Sequence, residues 1–409
     1  MKTSFKLRPG ARSGAARIMA LSLLLLTIFP GVLKAQQPAT ADPKRAQALE
    51  LYKQNRCLDA LPLFEELAAA NPADALMQEG LGVCLQTHAA TLTVPEERQR
   101  EMKRSRETLA RAKELGDSSE IVRVLLELTP ADGNLGVFSG RGDVDTAMRE
   151  GEAAFARRDL DAAIAAYQHA FLLDPKLYDA PLFIGDSYFT KKDYGNAEAW
   201  FAVAVSVNED RETAYRYWGD ALLREGKKDE AHAKYIEAVI AEPYAQRTWV
   251  GLDHWAQAAG RRLSQPQIAS PNQSAINQGK TNVTVDAAVL TRGDGSSAWL
   301  VYEITRAAWQ KKFATQFPQE KEYRHSLAEE AEALGNVVAV VGKLPEQEKA
   351  NLNPALKTLV ELSDHGLLES YILFARADEG MAKDYPAYRA SHRPALRQYL
   401  RDYVGLEKR

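Results

Sequence analysis

Three acidic residues each follow a glycine and stand 34 positions apart: Glu152 after Gly151, Asp186 after Gly185 and Asp220 after Gly219. Carboxylates attract ammonium and guanidinium groups, so acids brought into a row would favour a basic partner. The plainer reading is that they keep one face of the chain soluble. His325 and Glu329 have the i,i+4 spacing of a helical metal pair, and also that of a surface pair worth about 0.3 kcal/mol. His254 beside Trp255 reads as a polar residue at a core edge. Gly293 to Ser297 lacks the alternating acids of a calcium loop and reads as a helix cap. No phosphate-cradling loop, HExxH or GxSxG occurs. No catalytic, cofactor-binding or metal-binding residue is therefore assigned. The chemistry left is recognition.

The acids sit inside a repeated pattern. Ala163, Tyr167, Ala170 and Pro175 recur as Ala197, Phe201, Ala204 and Glu209, then as Ala231, Tyr235, Ala238 and Pro243. With Gly151, Gly185 and Gly219 they define three copies of a 34-residue unit between Asp145 and Pro243. The period and the small–aromatic–small–Pro order resemble the tetratricopeptide repeat. The resemblance implies two short antiparallel helices per copy, small residues at close helix contacts and an aromatic filling the gap. Proline closes the second helix, and neighbouring pairs stack to bury their apolar faces. Asp159-Leu160-Asp161 and Lys227 to Glu230 suit helix starts. The resemblance also implies that the first helix of each copy lines a concave groove. Its lining positions are Glu152, Phe155, Asp186, Phe189, Thr190, Arg216, Asp220, Leu223 and Arg224. That is an apolar groove with an acidic ridge. Tetratricopeptide domains that clamp a C-terminal carboxylate use basic residues and Asn there, so this chain suits a neutral or basic peptide instead.

Of 409 residues, 45% are hydrophobic and 26% charged, ordinary for a folded protein. Residues 1–35 differ. Lys2, Lys6, Arg8, Arg12 and Arg17 precede an apolar run from Ile18 to Phe29, then Pro30-Gly31 and the small Ala35. This reads as a secretory signal peptide, with a retained anchor as the alternative. The run is short of the roughly 20 residues a spanning helix needs, and no later stretch could span a membrane. The leader holds six basic and no acidic residues, leaving 46 basic against 55 acidic, a net of −9. Such a chain repels nucleic acid overall. Export, most simply to a periplasm, permits a disulfide between Cys57 and Cys84. Two small buried apolar residues is the other reading.

The fold expected is all-α: an α-solenoid of tetratricopeptide-type helix pairs, then a helical C-terminal region with a short β element. Residues 43–128 carry about two weaker repeats, marked by Ala48, Ala60, Phe64 and Pro72 and then by Gly82, the second with an insertion at His88 to Glu97. Residues 129–142 are a Gly-rich join. Residues 143–260 hold the three copies and one terminal helix. Residues 261–295 are a loop in which Thr281 to Leu290 alternates as a strand, and 296–405 are helical. Helices are expected at about 319–342, 345–362, 367–383 and 386–404. Arg141-Gly142-Asp143 and Arg292-Gly293-Asp294 read as turn chemistry, not as integrin motifs. Triplets at Asn272 and Asn282 match a glycosylation acceptor and carry no weight.

The function expected is an exported, non-enzymatic scaffold that binds a protein or peptide. The alternative is an enzyme whose repeats recruit substrate to a site in 263–409, with the Trp299 to Trp309 helix as pocket wall.

Overall fold

The computed structural model describes residues 42–92, 94–133, 138–270, 273–277, 280–284, 291–405 and 407–408. The expected leader, residues 134–137 of the join and residues 285–290 of the expected strand lie outside the described residues. Two compact units meet between Lys227 and Lys228.

The first unit runs through α1 (Pro43–Lys53), α2 (Cys57–Ala70), α3 (Ala75–Thr91), α4 (Pro95–Glu114) and α5 (Glu120–Leu128). It continues with α6 (Gly142–Ala156), α7 (Leu160–Leu173), α8 (Asp179–Thr190), α9 (Tyr194–Val207) and α10 (Glu212–Arg224). Consecutive helices pack on one another from α6 to α10, as stacked pairs require. The expected roles of glycine and aromatic hold. A Cβ on Gly151 would lie 2.3 Å from Cε1 of Tyr167, and one on Gly185 would lie 2.5 Å from Cε1 of Phe201. Only glycine lets the second helix of these two pairs approach so closely. α3 also packs against α6, and Arg158 donates to the carbonyls of Gln54 at 3.1 Å and Asn55 at 3.3 Å. The N-terminal repeats are thus built into the same unit as the central ones.

Caps and turns repeat with the helices. Asp159 accepts from the Ala162 N–H at 3.2 Å and Asp193 from the Asn196 N–H at 3.3 Å, each capping a second helix. Ser119 caps α5 through the Val122 N–H. The turn inside each pair places one residue in the left-handed region: Asn55, Arg158, Lys192 and Gly226, with φ of 55°, 64°, 65° and 81°. That conformation costs a residue with a Cβ about 1 kcal/mol. Replacing the exposed Lys192 with glycine is therefore expected to stabilise the protein by about 1 kcal/mol, read from urea unfolding. An unchanged or lower midpoint would contradict this.

Cys57 and Cys84 are free thiols buried in the core of α1 to α5. The possible disulfide is not formed in this structure. The two residues pack as small apolar side chains, because both helices turn these positions inward.

The second unit opens with α11 (Lys228–Ala241) and α12 (Gln246–Ala258), followed by β1 (Arg261–Arg262), β2 (Gln273–Asn277) and β3 (Lys280–Thr284). β2 and β3 form an antiparallel hairpin with Gln273 opposite Thr284, so of the two readings of 281–290, one short strand or half of a hairpin, the described residues 281–284 follow the second. A 3₁₀ turn at Ser296–Trp299 leads into α13 (Leu300–Gln316). Asp294 accepts from the Ser296 N–H at 3.0 Å, a local turn, and neither the 3₁₀ turn nor α13 carries the side-chain cap expected there. Then come α14 (Leu327–Val341), α15 (Glu346–Ala350), α16 (Pro354–Asp364), α17 (Leu368–Tyr371), a π turn at Ile372–Arg376, α18 (Glu379–Ala382) and α19 (Tyr385–Tyr403). β4 (Glu407–Lys408) pairs with β1. The helix expected from Gln319 begins only at Leu327. Arg324 binds both Glu320 and Asp384, holding residues before Ser326 as a loop, and Ser326 then caps α14. α19 packs on α11: the Tyr385 hydroxyl donates to the Ile240 carbonyl at 2.6 Å, and Arg393 and Arg397 pair with Glu237. α11 and α12 thus share a core with the C-terminal helices. This is why the division falls inside the third copy and not at 260.

Candidate partner-binding site

The expected ridge lies on α6, α8 and α10, but it is not a ridge. Glu152 is 4% exposed and Asp186 0%, while Asp220 is half-buried. Their neighbours explain the difference. α8 reads DAPLFIGDSYFT and buries ten of its twelve positions, so the residue after Gly185 faces protein and not solvent. Phe189 is likewise a core residue, set edge-on to Tyr194 at 5.4 Å, and Phe155 is half-buried against the same core. Arg216 is committed to Glu212 at 3.1 Å and lies 4.6 Å from the Tyr217 ring. Thr190 and Leu223 are half-buried, and Arg224 is exposed. Thus Phe155, Thr190, Asp220, Leu223 and Arg224 reach the surface. Glu152, Asp186, Phe189 and most of Arg216 do not.

The buried acids are chemically unusual. Glu152 Oε1 and both carboxylate oxygens of Asp186 have no hydrogen-bond partner among the described residues. The hydroxyl of Tyr167, also buried, has none either, while Tyr217 lies against Arg216. Burial pushes the Glu152 carboxyl up to about 8, against the pull of Arg98 and Arg149. Burial alone holds Asp186 well above the usual carboxylate range. Both acids therefore favour the neutral form near neutral pH.

The second unit holds a contrasting, fully bonded network. His325 bridges Asp378 through Nδ1 at 2.8 Å and Glu330 through Nε2 at 3.1 Å. Glu330 also takes Arg376, Arg306 and the Tyr302 hydroxyl, while Glu329 takes Arg306 and the Tyr323 hydroxyl. His325 therefore does not pair with Glu329. With both ring nitrogens engaged it is a structural bridge. Burial alone would raise Glu330, but His325, Arg376 and Arg306 hold it down to about 2. Burial alone would lower His325, but the carboxylates of Asp378 and Glu330 hold it above its ordinary value. A raised histidine stabilises fully below about pH 6.5, and that contribution is lost as pH climbs through the folded-state value. Hydrogen-exchange protection in 326–341 should accordingly fall as pH rises from 6 to 8. The decline should vanish in His325→Gln. A decline that persists in the variant would show that another group carries it.

Trp299 and Trp309 are 1% and 2% exposed, so the expected pocket wall is core. The Trp309 indole donates to Glu332 at 3.1 Å. Among the described residues no cluster of His, Cys, Asp or Glu is arranged to hold a metal, and no helix is long and apolar enough to cross a membrane.

The architecture is that of stacked helix pairs with a helical C-terminal unit. The tetratricopeptide repeat family model matches residues 45–87 and 148–215, so the chain carries tetratricopeptide repeats in both places. Solved structures resemble it locally. The first TPR of Spaghetti (RPAP3), bound to an HSP90 peptide, is 26% identical over 29% of this chain and 95% of its own, with a TM-score of 0.27. MamA is 17% identical over 51% and 99%, with a TM-score of 0.26. A thermophilic TPR protein of Thermus thermophilus is 18% identical over 53% and 97%, with a TM-score of 0.27. No curated protein matches the chain significantly.

Proposed function

We propose that the protein is an exported, non-enzymatic scaffold that holds a neutral or basic peptide segment of a partner protein against its tetratricopeptide repeats. The observation that carries this reading is the register of the repeats. The lining positions of α6, α8 and α10 leave Phe155, Thr190, Asp220, Leu223 and Arg224 at least partly accessible, above a floor of buried acids. An apolar rim over carboxylates suits an extended chain with occasional positive charge. Export rests on the basic leader and apolar run of residues 1–35, with the periplasm as its simplest destination and secretion or a retained N-terminal anchor as variants. The net charge of −9 expected after cleavage disfavours nucleic acid as the partner.

Reversing Glu152 and Asp186 to lysine would bury two charges and test folding, not binding. The useful variant changes accessible positions only: Asp220→Lys with Leu223→Ser and Arg224→Glu. Partners captured from native extract by the wild-type protein should be lost with this triple variant, provided its melting is unchanged. Full retention would remove the groove from the account. N-terminal sequencing of the envelope fraction tests export, and a start near Gln36 is expected.

A further inference from the structure

The three copies of the repeat differ in what covers the outer side of their second helix. Leu172, Ser206 and Ile240 hold one place in the pattern, 34 positions apart. Ile240 is 0% exposed, where α19 lies on α11. Tyr385 and Arg389 donate to the Ile240 and Ala241 carbonyls, and Arg393 and Arg397 pair with Glu237. Leu172 is 79% exposed, the most of any large apolar side chain among the described residues, and Ser206 is exposed as well. The outer sides of α7 and α9 form one patch. Phe171 of α7 meets Trp200 of α9 edge-on, with ring centroids 6.1 Å apart. From Ala162 to Leu173 there is no Asp, Glu, Lys or Arg. α9 has only Glu198, which is turned to the Trp218 indole at 2.9 Å and to Lys227 at 3.0 Å. Ala165 and Ala199 are exposed at equivalent places, and such small residues let another helix approach closely. Charges stand at the edge, where Lys191 pairs with Asp161. An uncharged centre with a polar rim is the anatomy of an interface.

We propose that this face of α7 and α9 is a self-association surface, met by the same face of a second copy. α11 supplies the precedent, since a helix laid along its outer side buries it. Charge decides which helix suits α7 and α9. α19 brings Arg393 and Arg397 to Glu237, whose counterparts in the other copies are His169 and Val203. An occupant of α7 and α9 therefore needs an apolar face without carboxylates or basic side chains, and the face itself is one. In a two-fold contact a patch meets its own copy, so any charge on it is set near a like charge. Such juxtapositions cost several kcal/mol, and this face avoids them. α7 and α9 have 14 residues each, about 21 Å of helix. Two such helices from each copy make a contact at the small end of specific interfaces, so a dissociation constant of about 10–100 µM is expected. The groove positions lie on α6, α8 and α10, so this inference does not rest on the groove reading. A dimer would carry two sets of repeats and so double the valence of the scaffold.

The test is sedimentation velocity from about 1 to about 300 µM, on the full chain and on the chain from Gln36. Both should pass from monomer to dimer. Leu172→Glu with Ala199→Glu, both at exposed places, should raise the dissociation constant at least about tenfold and leave the melting temperature of the dilute protein unchanged. Ile304→Glu, at another exposed apolar residue, should leave the dimer intact. Leu172→Lys with Ala199→Lys should also be monomeric by itself. An equimolar mixture of the Glu and Lys variants should dimerise again, a restoration that misfolding cannot produce. Wild-type chain that stays monomeric at the highest concentration would overturn the proposal. So would a dimer that the Glu variant leaves unchanged, or one seen only in the full chain, which would place the contact in the apolar run from Ile18 to Phe29. A monomeric wild type whose captured partner is lost with the Glu variant would overturn it too, and would give the face to a helix of another protein.

Discussion

Asp186→Asn is expected to stabilise the protein by about 3 kcal/mol at pH 8 and to change it by less than about 1 kcal/mol at pH 4. The sign follows from burial. The folded-state pKa of Asp186 lies above its unfolded value. A neutral acid in the fold contributes stability that is complete below the ordinary carboxyl range. That stability is lost as pH rises toward the folded-state value, because the unfolded chain has already released its proton. Asparagine keeps the shape of the neutral acid without the proton to lose. Glu152, held up to about 8, adds a slope of the same sign, so Glu152→Gln should show a smaller version of the effect. Urea unfolding at the two pH values measures both. A gain of equal size at pH 4 and pH 8 would mean that packing, not ionisation, distinguishes the amide.

Gly185→Ala is expected to cost about 3 kcal/mol, a large effect for one methyl group. The added Cβ would meet Cε1 and Cδ1 of Phe201 at 2.5 and 2.6 Å. Phe201 is fully buried and set against Tyr217 at 6.0 Å, so its ring cannot retreat. Gly195 is the control. It lies in α9 with nothing within 4 Å of an added Cβ, and Gly195→Ala should gain about 0.5 kcal/mol from helix propensity. Adding Phe201→Leu to Gly185→Ala should recover part of the loss. If the two alanine variants unfold at the same midpoint, close helix approach is not what the repeated glycine provides.

The repeat was legible because its marks are local and recur. Glycine, alanine and an aromatic at fixed offsets say which faces touch, and Gly151 with Tyr167 and Gly185 with Phe201 meet as that pattern requires. The state of the acids was not legible. The position after Gly185 is polar by type, and its enclosure depends on neighbouring helices that no short window reveals. Lys192 gave no sign of its left-handed backbone, because only glycine advertises that conformation. The network around Glu330 draws on residues as far apart as Tyr302 and Arg376, so His325 could be matched only to its near neighbour Glu329. The loop before Ser326 depends in the same way on Asp384, 60 positions from Arg324.

The seating of α19 on α11 sets an order of events during synthesis. Tyr385 and Ile240 are 145 positions apart, yet their bond helps enclose the second helix of the third copy. The helix pairs of the first unit can mature as they leave the ribosome, since their contacts are near in sequence. α11 must wait until α19 has emerged. A chain stopped short of Tyr385 would therefore display the apolar face of α11 to chaperones and proteases, which makes α19 the element that completes the enclosure of the third copy.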